Sequence, residues 1–190
     1  MENSKEKLIR FETNLLDHQG FYKSMEINSN FHVGKPDNLN DGLELFKKDI
    51  GDYEGMWNES DFDWRINNGD IFSYITKDDR IIAWLWLGQK IYKTWDQNGS
   101  PVYNTPSFDY TESGVDIIYT GKYIYGYNIW IDSEYRGIRD YSIGIHGFKH
   151  LYELGYNYVV YDIEIWNKAP LLYALKENGI RGNIIDLLDT

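Results

Sequence analysis

The sequence contains no cysteine. That absence excludes a disulfide scaffold, a zinc–thiolate centre and a cysteine nucleophile. Basic residues are scarce: 19 Lys and Arg stand against 30 Asp and Glu, a formal net charge of -11. A general nucleic-acid binder needs a basic patch and a membrane-surface protein a polybasic face, and neither partner is expected. Long hydrophobic runs are also missing. The run Ile81 to Leu87 is of strand length, far from the roughly 20 apolar residues that span a bilayer. The opening MENSKEKLIRF lacks the apolar centre of a secretory signal. The expectation is a soluble cytoplasmic chain forming a single domain over 1–190. What is present is a hydrophobic content of 42%, enough for a sizeable core, and an aromatic content of 17%.

Periodicity places the elements. Leu8 to Phe11 reads as a short strand and 28–40 as loop. Apolar residues at 43, 46 and 50 predict a helix over 39–50, capped by Asn40 or Asp41. Ser60 with Asp63 resembles a capping box opening a short helix over 61–68 that Gly69 closes. Ile71–Ile75 and Arg80–Tyr92 form a hairpin around 76–79. Residues 93–116 read as an inserted loop or irregular hairpin, and 117–132 as strand. Tyr141, Ile145, Phe148 and Tyr152 then mark one helical face ending at Gly155. A strand over 158–166, a helix over 168–177 and a last short strand over 183–188 follow. The fold class is α/β. An antiparallel part (71–132) sits between N-terminal helices and loops (1–70) and a strand–helix half (133–190) with a parallel βαβ unit.

The junction at 131–142 carries the chemistry. An Arg-Gly turn feeding a helix start offers backbone N–H groups and the positive end of a dipole, both suited to phosphate. Arg136 and Arg139 add charge there. On spacing alone, an ordinary strand-to-helix turn is the alternative.

This segment resembles the acyl-CoA-binding motif of the GNAT superfamily of N-acyltransferases, in which a strand enters an Arg/Gln-x-x-Gly-x-Gly/Ala turn and then a helix. Tyr135-Arg136-Gly137 matches the lead-in. The downstream order of helix, Gly155, strand, Asn167, helix with Tyr173, and Asn178-Gly179-Ile180 matches too. The match covers 117–181, with the hairpin fitting more loosely. Arg139 and Tyr141 depart from it, standing where the family has small residues. Either Arg139 reaches the phosphates with its guanidinium, or the turn no longer binds CoA.

The resemblance implies acetyl-CoA, or another acyl-CoA, as cosubstrate, with no metal. It implies that Ile129 and Ile131 pair through their backbones with the pantetheine arm. Arg136, Gly137, Ile138, Arg139, Asp140, Tyr141 and Ser142 would receive the pyrophosphate. Tyr173 matches the tyrosine that protonates the leaving thiolate, its pKa near 10 suiting that sulfur. Asn167 matches a residue that orients cofactor or water. Tyr173 also reads as a core tyrosine beside Leu172. The family often adds a strand after the last one here, so the missing edge is either left open or supplied by a partner subunit, a homodimer.

The general base is not legible. Asp162 and Glu164 share one strand face and read as solvent-facing, and a water held by Asn128 is an equal alternative. His146 and His150, at i and i+4, have metal-ligand spacing but no third ligand nearby, and read as a surface pair. Trp84, Trp86, Tyr92 and Trp95 form either a stacking platform for a sugar or sheet packing.

Charge divides along the chain. Residues 133–181 hold six basic and six acidic side chains, whereas 37–70 hold three basic and ten acidic. Asp52, Glu54, Glu59, Asp61 and Asp63, with Trp57 and Trp64, would attract a cationic amine. The expected activity is acyl-CoA-dependent N-acetyltransfer to a small primary amine, an amino sugar or a polyamine-like molecule. The alternatives are a non-catalytic binding module of the same fold and an aromatic-rich carbohydrate-binding domain.

Overall fold

The computed structural model describes residues 7–50, 59–95, 101–104, 117–118, 120–165, 167–175 and 183–189. In chain order its elements are β1 (Lys7–Asn14), α1 (Gln19–Ser24), β2 (Phe31–Val33), α2 (Leu39–Ile50), α3 (Glu59–Asn67), β3 (Ile71–Lys77) and β4 (Arg80–Gly88). There follow β5 (Lys90–Ile91), β6 (Lys93–Trp95), β7 (Pro101–Tyr103), β8 (Ile117–Ile118) and β9 (Tyr123–Ile131). The chain continues with α4 (Ile143–Glu153), β10 (Tyr158–Glu164), α5 (Lys168–Leu175) and β11 (Asn183–Asp189). Short 3-10 turns at Ser133–Tyr135 and Arg139–Tyr141 lead into α4.

Strand β4 is the spine. It is buried from Ile81 to Gly88, which is why its sequence is apolar without alternation. Successive side chains still leave on opposite faces. Trp84 and Trp86 enter one core with Leu39 and Leu43 of α2, Phe62 of α3 and Tyr125 and Tyr127 of β9. Ala83, Leu85 and Leu87 enter the other, with Tyr22 of α1 and Ile143, Ile145 and Leu151 of α4. Much of the aromatic content goes into the first core. The rings of Phe62, Phe72 and Trp86 lie 4.7 to 5.0 Å apart between centroids, each such pair adding about 0.5–1.5 kcal/mol to its burial. Trp84 and Trp86 are 2% and 0% exposed, so they form no sugar-stacking platform. The Trp95 side chain lies outside the described residues.

The β3–β4 hairpin turns on Asp78 and Asp79, both left-handed (φ 50° and 61°). Positive φ at both central residues gives a type I′ turn, whose twist fits a two-residue loop. Residues 28–40, expected as loop, include β2, which pairs with β3. Ser60 lies inside α3 and does not cap it. Helix α4 ends at Gly155 (φ 88°), where the Tyr156 N–H returns to the Leu151 carbonyl at 3.0 Å.

Among the described residues the main sheet runs β11-β1-β10-β9-β4-β3-β2. Only β9 and β10 are parallel neighbours; the other pairs are antiparallel. The first strand is therefore an inner strand. It separates β10 from β11, so the parallel part is limited to the β9–β10 pair. The strand β11 pairs with β1 and stands at one edge of the sheet among the described residues. No helix among the described residues is long and apolar enough to cross a membrane.

Candidate active site

Two irregularities in β9 open the sheet. Opposite β4, the register passes from Trp84↔Trp130 to Trp86↔Tyr127, so Asn128 and Ile129 together face Leu85. This is a β-bulge, and Asn128 takes a left-handed φ of 46° in it. Opposite β10, pairing ends at Gly126↔Tyr161, although β9 runs on to Ile131 and β10 to Glu164. The strands part there. The split encloses a cavity of about 150 Å³. Leu85, Gly126 and Val159 line it from the sheet, Gly144, Ile145 and Phe148 from α4, and Pro170 and Ala174 from α5. Its polar lining comes from Tyr103, Tyr125, Tyr127, Asn128, Tyr161 and Asp162.

Beyond the split, one edge of β9 has lost its neighbour. The Asp132 N–H donates to Ile82 O at 2.9 Å, so the peptide groups of Asp132 face β4. By strand alternation those of Ile131 face the opposite edge, and Ile129 precedes them in the bulge. The Ile131 carbonyl accepts from Arg136 Nε at 2.9 Å. The Ile129 side chain is 53% exposed.

The segment Arg136–Ser142 follows at the start of α4. Gly137 has φ 81°, the left-handed conformation that glycine adopts freely. Where the family motif has small residues, side chains brace the turn. Arg139 lies over the Phe21 ring at 5.3 Å. Tyr141 meets Tyr135 edge to face at 5.1 Å and accepts from Lys77 Nζ at 3.2 Å. The Asp140 carbonyl accepts from Asn28 Nδ2 at 2.7 Å and lies 3.0 Å from His146 Nε2. Ile138 is exposed and Ser142 precedes the helix. The first-turn amides of α4, unpartnered within any helix, point towards this turn.

Helix α4 approaches the sheet closely because of its glycines. A Cβ on Gly147 would lie 2.8 Å from Leu85 Cδ2, whereas one on Gly144, at the cavity wall, would meet only Ile129 Cδ1 at 3.8 Å.

Two buried polar networks flank the cavity. In the first, Arg10 of β1 donates from Nε and Nη2 to the two oxygens of Asp162 of β10, both at 2.8 Å. Tyr125 Oη donates to Asp162 Oδ2 at 2.8 Å. The Asp162 side chain is fully buried, not solvent-facing as its strand position suggests, and is held by Arg10 and Tyr125 from the two neighbouring strands of the sheet. Burial pushes the Tyr125 hydroxyl well above its ordinary value of 10, and the nearby Tyr103 and Asp162 reinforce this.

In the second network, the buried Arg65 of α3 donates from Nε to Asn104 O at 2.8 Å and from Nη2 to Tyr103 O at 2.9 Å. Its guanidinium lies over the rings of Trp86 (5.0 Å) and Tyr127 (5.4 Å). With the Asn128 amide turned so that its oxygen faces the guanidinium, it accepts from Nη1 at 3.0 Å, which ties the bulge to α3. Asn104 Nδ2 donates to Asp70 Oδ2 at 2.7 Å and to the Lys90 carbonyl at 3.0 Å, and lies 3.3 Å from Tyr127 Oη. Tyr127 Oη donates to the same Asp70 oxygen. Burial raises the Asp70 carboxyl from 3.8 to about 6, against the opposing pull of the Tyr127 and Asn104 hydrogen bonds and the Arg65 charge.

The sequence reading misses Arg65, Asp70, Asn104 and Tyr127. A lone Arg in a polar helix and a lone Asp before a strand give no signal of joint burial. Of the residues it singles out, the Tyr173 side chain lies outside the described residues, though α5 carries that position. The Asn167 carbonyl accepts from the Leu171 N–H at 3.3 Å and so starts α5. The histidines are not a surface pair: His146 is buried, 3.4 Å from the Asn28 N–H, and His150 is half-buried. Burial lowers the pKa of both. Among the described residues no group of three or more acidic or histidine side chains is placed to hold a metal ion. Of the acidic cluster, Asp61 is buried and Asp63 pairs with Lys35 at 2.7 Å. Asp52, Glu54 and Trp57, and the side chain of Glu59, lie outside the described residues.

The architecture matches known structures. A conserved protein of unknown function from Staphylococcus epidermidis aligns over 96% of this chain and 59% of its own, with a TM-score of 0.54 and 8% identity. A protein of Novosphingobium aromaticivorans assigned to the GNAT acetyltransferases aligns over 96% of this chain and 61% of its own, with a TM-score of 0.51 and 10% identity. The chain thus spans about three-fifths of each of these two proteins. The chain has a GNAT-like fold. An aminoglycoside acetyltransferase from a soil metagenome, solved with trehalose, covers 87% of this chain and 99% of its own, with a TM-score of 0.50 and 11% identity. No family model matches the sequence, and no curated protein is similar to it. Within this GNAT-like sheet, the cavity lies at the split between the two parallel strands, beside the start of α4.

Proposed function

We propose that the protein is an acyl-CoA-dependent N-acyltransferase that moves an acetyl group from acetyl-CoA to a primary amine. The observation that carries this reading is the split between β9 and β10. An extended thioester arm needs a strand edge with peptide groups to pair with, and β9 beyond Gly126 offers one. In this reading Ile129 and Ile131 hold the arm, and the Ile129 N–H polarises the thioester carbonyl. Arg136 to Ser142 and the first turn of α4 take the pyrophosphate, with Arg136 and Arg139 supplying charge where glycines would supply close approach. Tyr173 on α5 protonates the departing thiolate and Asn167 orients it. The acceptor is a small amine, an amino sugar or polyamine. The polar lining by Tyr103, Tyr125 and Tyr127 supports a hydroxylated one.

A non-catalytic acyl-CoA-binding module is the second reading. It is favoured by Tyr141 and Arg139, which fill the turn with packed side chains. Release of free thiol from acetyl-CoA, followed over a panel of amines, separates the two. The enzyme reading predicts amine-dependent release, and Tyr173→Phe lowering turnover more than affinity. Acetyl-CoA binding with no release for any amine supports the module instead.

A further inference from the structure

The acylation reading leaves the proton of the acceptor amine without a destination. An amine bound near neutral pH arrives as the ammonium and must lose a proton before its nitrogen can attack. The carboxylate that lines the cavity, Asp162, is already held by both donors of the Arg10 fork and by Tyr125. Asp132 is occupied too, its carboxylate accepting from the Glu134 N–H at 3.0 Å.

Asp70 differs. It is not among the residues that line the cavity, whereas Tyr127, which donates to it, is. The direction of the hydrogen bonds is fixed. An ionised carboxylate can only accept, so the Tyr127 hydrogen is directed at Asp70 Oδ2, while the two hydrogens of Asn104 Nδ2 go to that carboxylate and to the Lys90 carbonyl. A proton arriving at Tyr127 from the cavity would therefore displace one already aimed at the carboxylate. Among the described residues, the polar groups around the pair come from neighbouring elements. Arg65 comes from α3, Asn104 from the end of β7 and Tyr103 beside it, and the Lys90 carbonyl accepts from Asn104 at 3.0 Å.

Resting on the acyltransferase reading, we propose that Tyr127 and Asp70 form a relay that takes the proton from the acceptor ammonium. An N–H proton passes to Tyr127 Oη as the Tyr127 proton passes to Asp70 Oδ2. The freed lone pair bonds to the thioester carbonyl carbon. The C–S bond then breaks with its electron pair on sulfur, Tyr173 gives its proton to that sulfur and regains one from the second amine N–H, and the proton on Asp70 leaves to solvent. One ammonium and one thioester thus give one amide, one thiol and one proton. The ionisation of Asp70 suits this role, because a carboxyl lifted to about 6 by burial is ionised at neutral pH yet basic enough to accept a proton. Tyr127 stays protonated throughout, burial holding its hydroxyl well above 10.

The test compares wild type, Asp70→Asn and Tyr127→Phe, with acetyl-CoA as donor and the best amine of the panel as acceptor. Calorimetric affinity for acetyl-CoA and the melting temperature are measured on the same samples. The relay predicts a wild-type kcat/KM that falls as pH drops through about 6, as Asp70 becomes protonated. Both variants should keep their affinity for acetyl-CoA, lose about 10²-fold or more in kcat, and lose that inflection. The protonation itself is read independently by difference infrared spectroscopy, as a carboxyl band that titrates near 6 in wild type and is absent in Asp70→Asn. A wild type that acylates amines while Tyr127→Phe or Asp70→Asn keeps its kcat and its inflection would overturn the relay and leave the acyltransferase reading intact. A wild type that does not bind acetyl-CoA would remove both.

Discussion

Asp70 is a residue whose environment works against its charge. Its folded pKa of about 6 lies above the ordinary 3.8. Between those values the folded state binds a proton that the unfolded state does not. The contribution of Asp70 to stability therefore rises as pH falls from above 6 towards 4, and at neutral pH the buried carboxylate costs on the order of 3 kcal/mol. Urea unfolding of wild type and Asp70→Asn at a series of pH values isolates this. The stability of Asp70→Asn relative to wild type should increase as pH rises through 6, and a constant difference would show that Asp70 titrates normally. Retaining a charge with such a cost is expected where the group has a function to perform. No local pattern announces it. Asp70 and Arg65 are five positions apart across the end of α3, and their shared burial depends on Asn104 and Tyr127 arriving from distant strands.

At the scale of elements, the sequence is most legible where burial is one-sided. The face of α2, the β3–β4 hairpin and the Gly155 stop follow from periodicity and turn chemistry, whereas the stripe read for α4 is right at Ile145 but Tyr141 lies in the turn before the helix, Phe148 and Tyr152 are half-buried, and Ile143 and Leu151 are the residues buried in the core. The bulge at Asn128 is not legible, since nothing in Tyr127-Asn128-Ile129 marks an extra residue until the register with β4 is known. The same holds for the two glycines of α4, and they make separable predictions. Gly147→Ala pushes a methyl group against Leu85 in the core and should lower stability by about 1–3 kcal/mol in chemical denaturation. Gly144→Ala has ordinary contacts and should leave stability nearly unchanged, or slightly raised by helix propensity. Equal losses for the two would mean that α4 does not lie on β4 as described.

At the scale of the molecule, the order of elements is readable but their neighbours are not. Leu8 to Phe11 has the pattern of a strand, yet only the folded sheet shows that it lies between β10 and β11. Position in a sheet is a long-range property, and a short strand with one buried arginine says little about which partners will claim it. That placement bears on the site, because Arg10 of β1 neutralises Asp162 at the cavity wall and leaves Asp70 as the carboxylate available to Tyr127. The net charge of -11 is not explained by the interior: the buried Asp162 and Asp70 lie with the buried Arg10 and Arg65, so these four charges cancel and the negative excess belongs to the rest of the chain. The central claim is that the split between β9 and β10 receives the acyl-CoA arm. Calorimetric titration of acetyl-CoA into wild type and Gly144→Leu tests it most directly. The account predicts saturable binding to wild type that Gly144→Leu loses while keeping its fold; no saturable heat from wild type at millimolar acetyl-CoA, or equal binding by both, would contradict it.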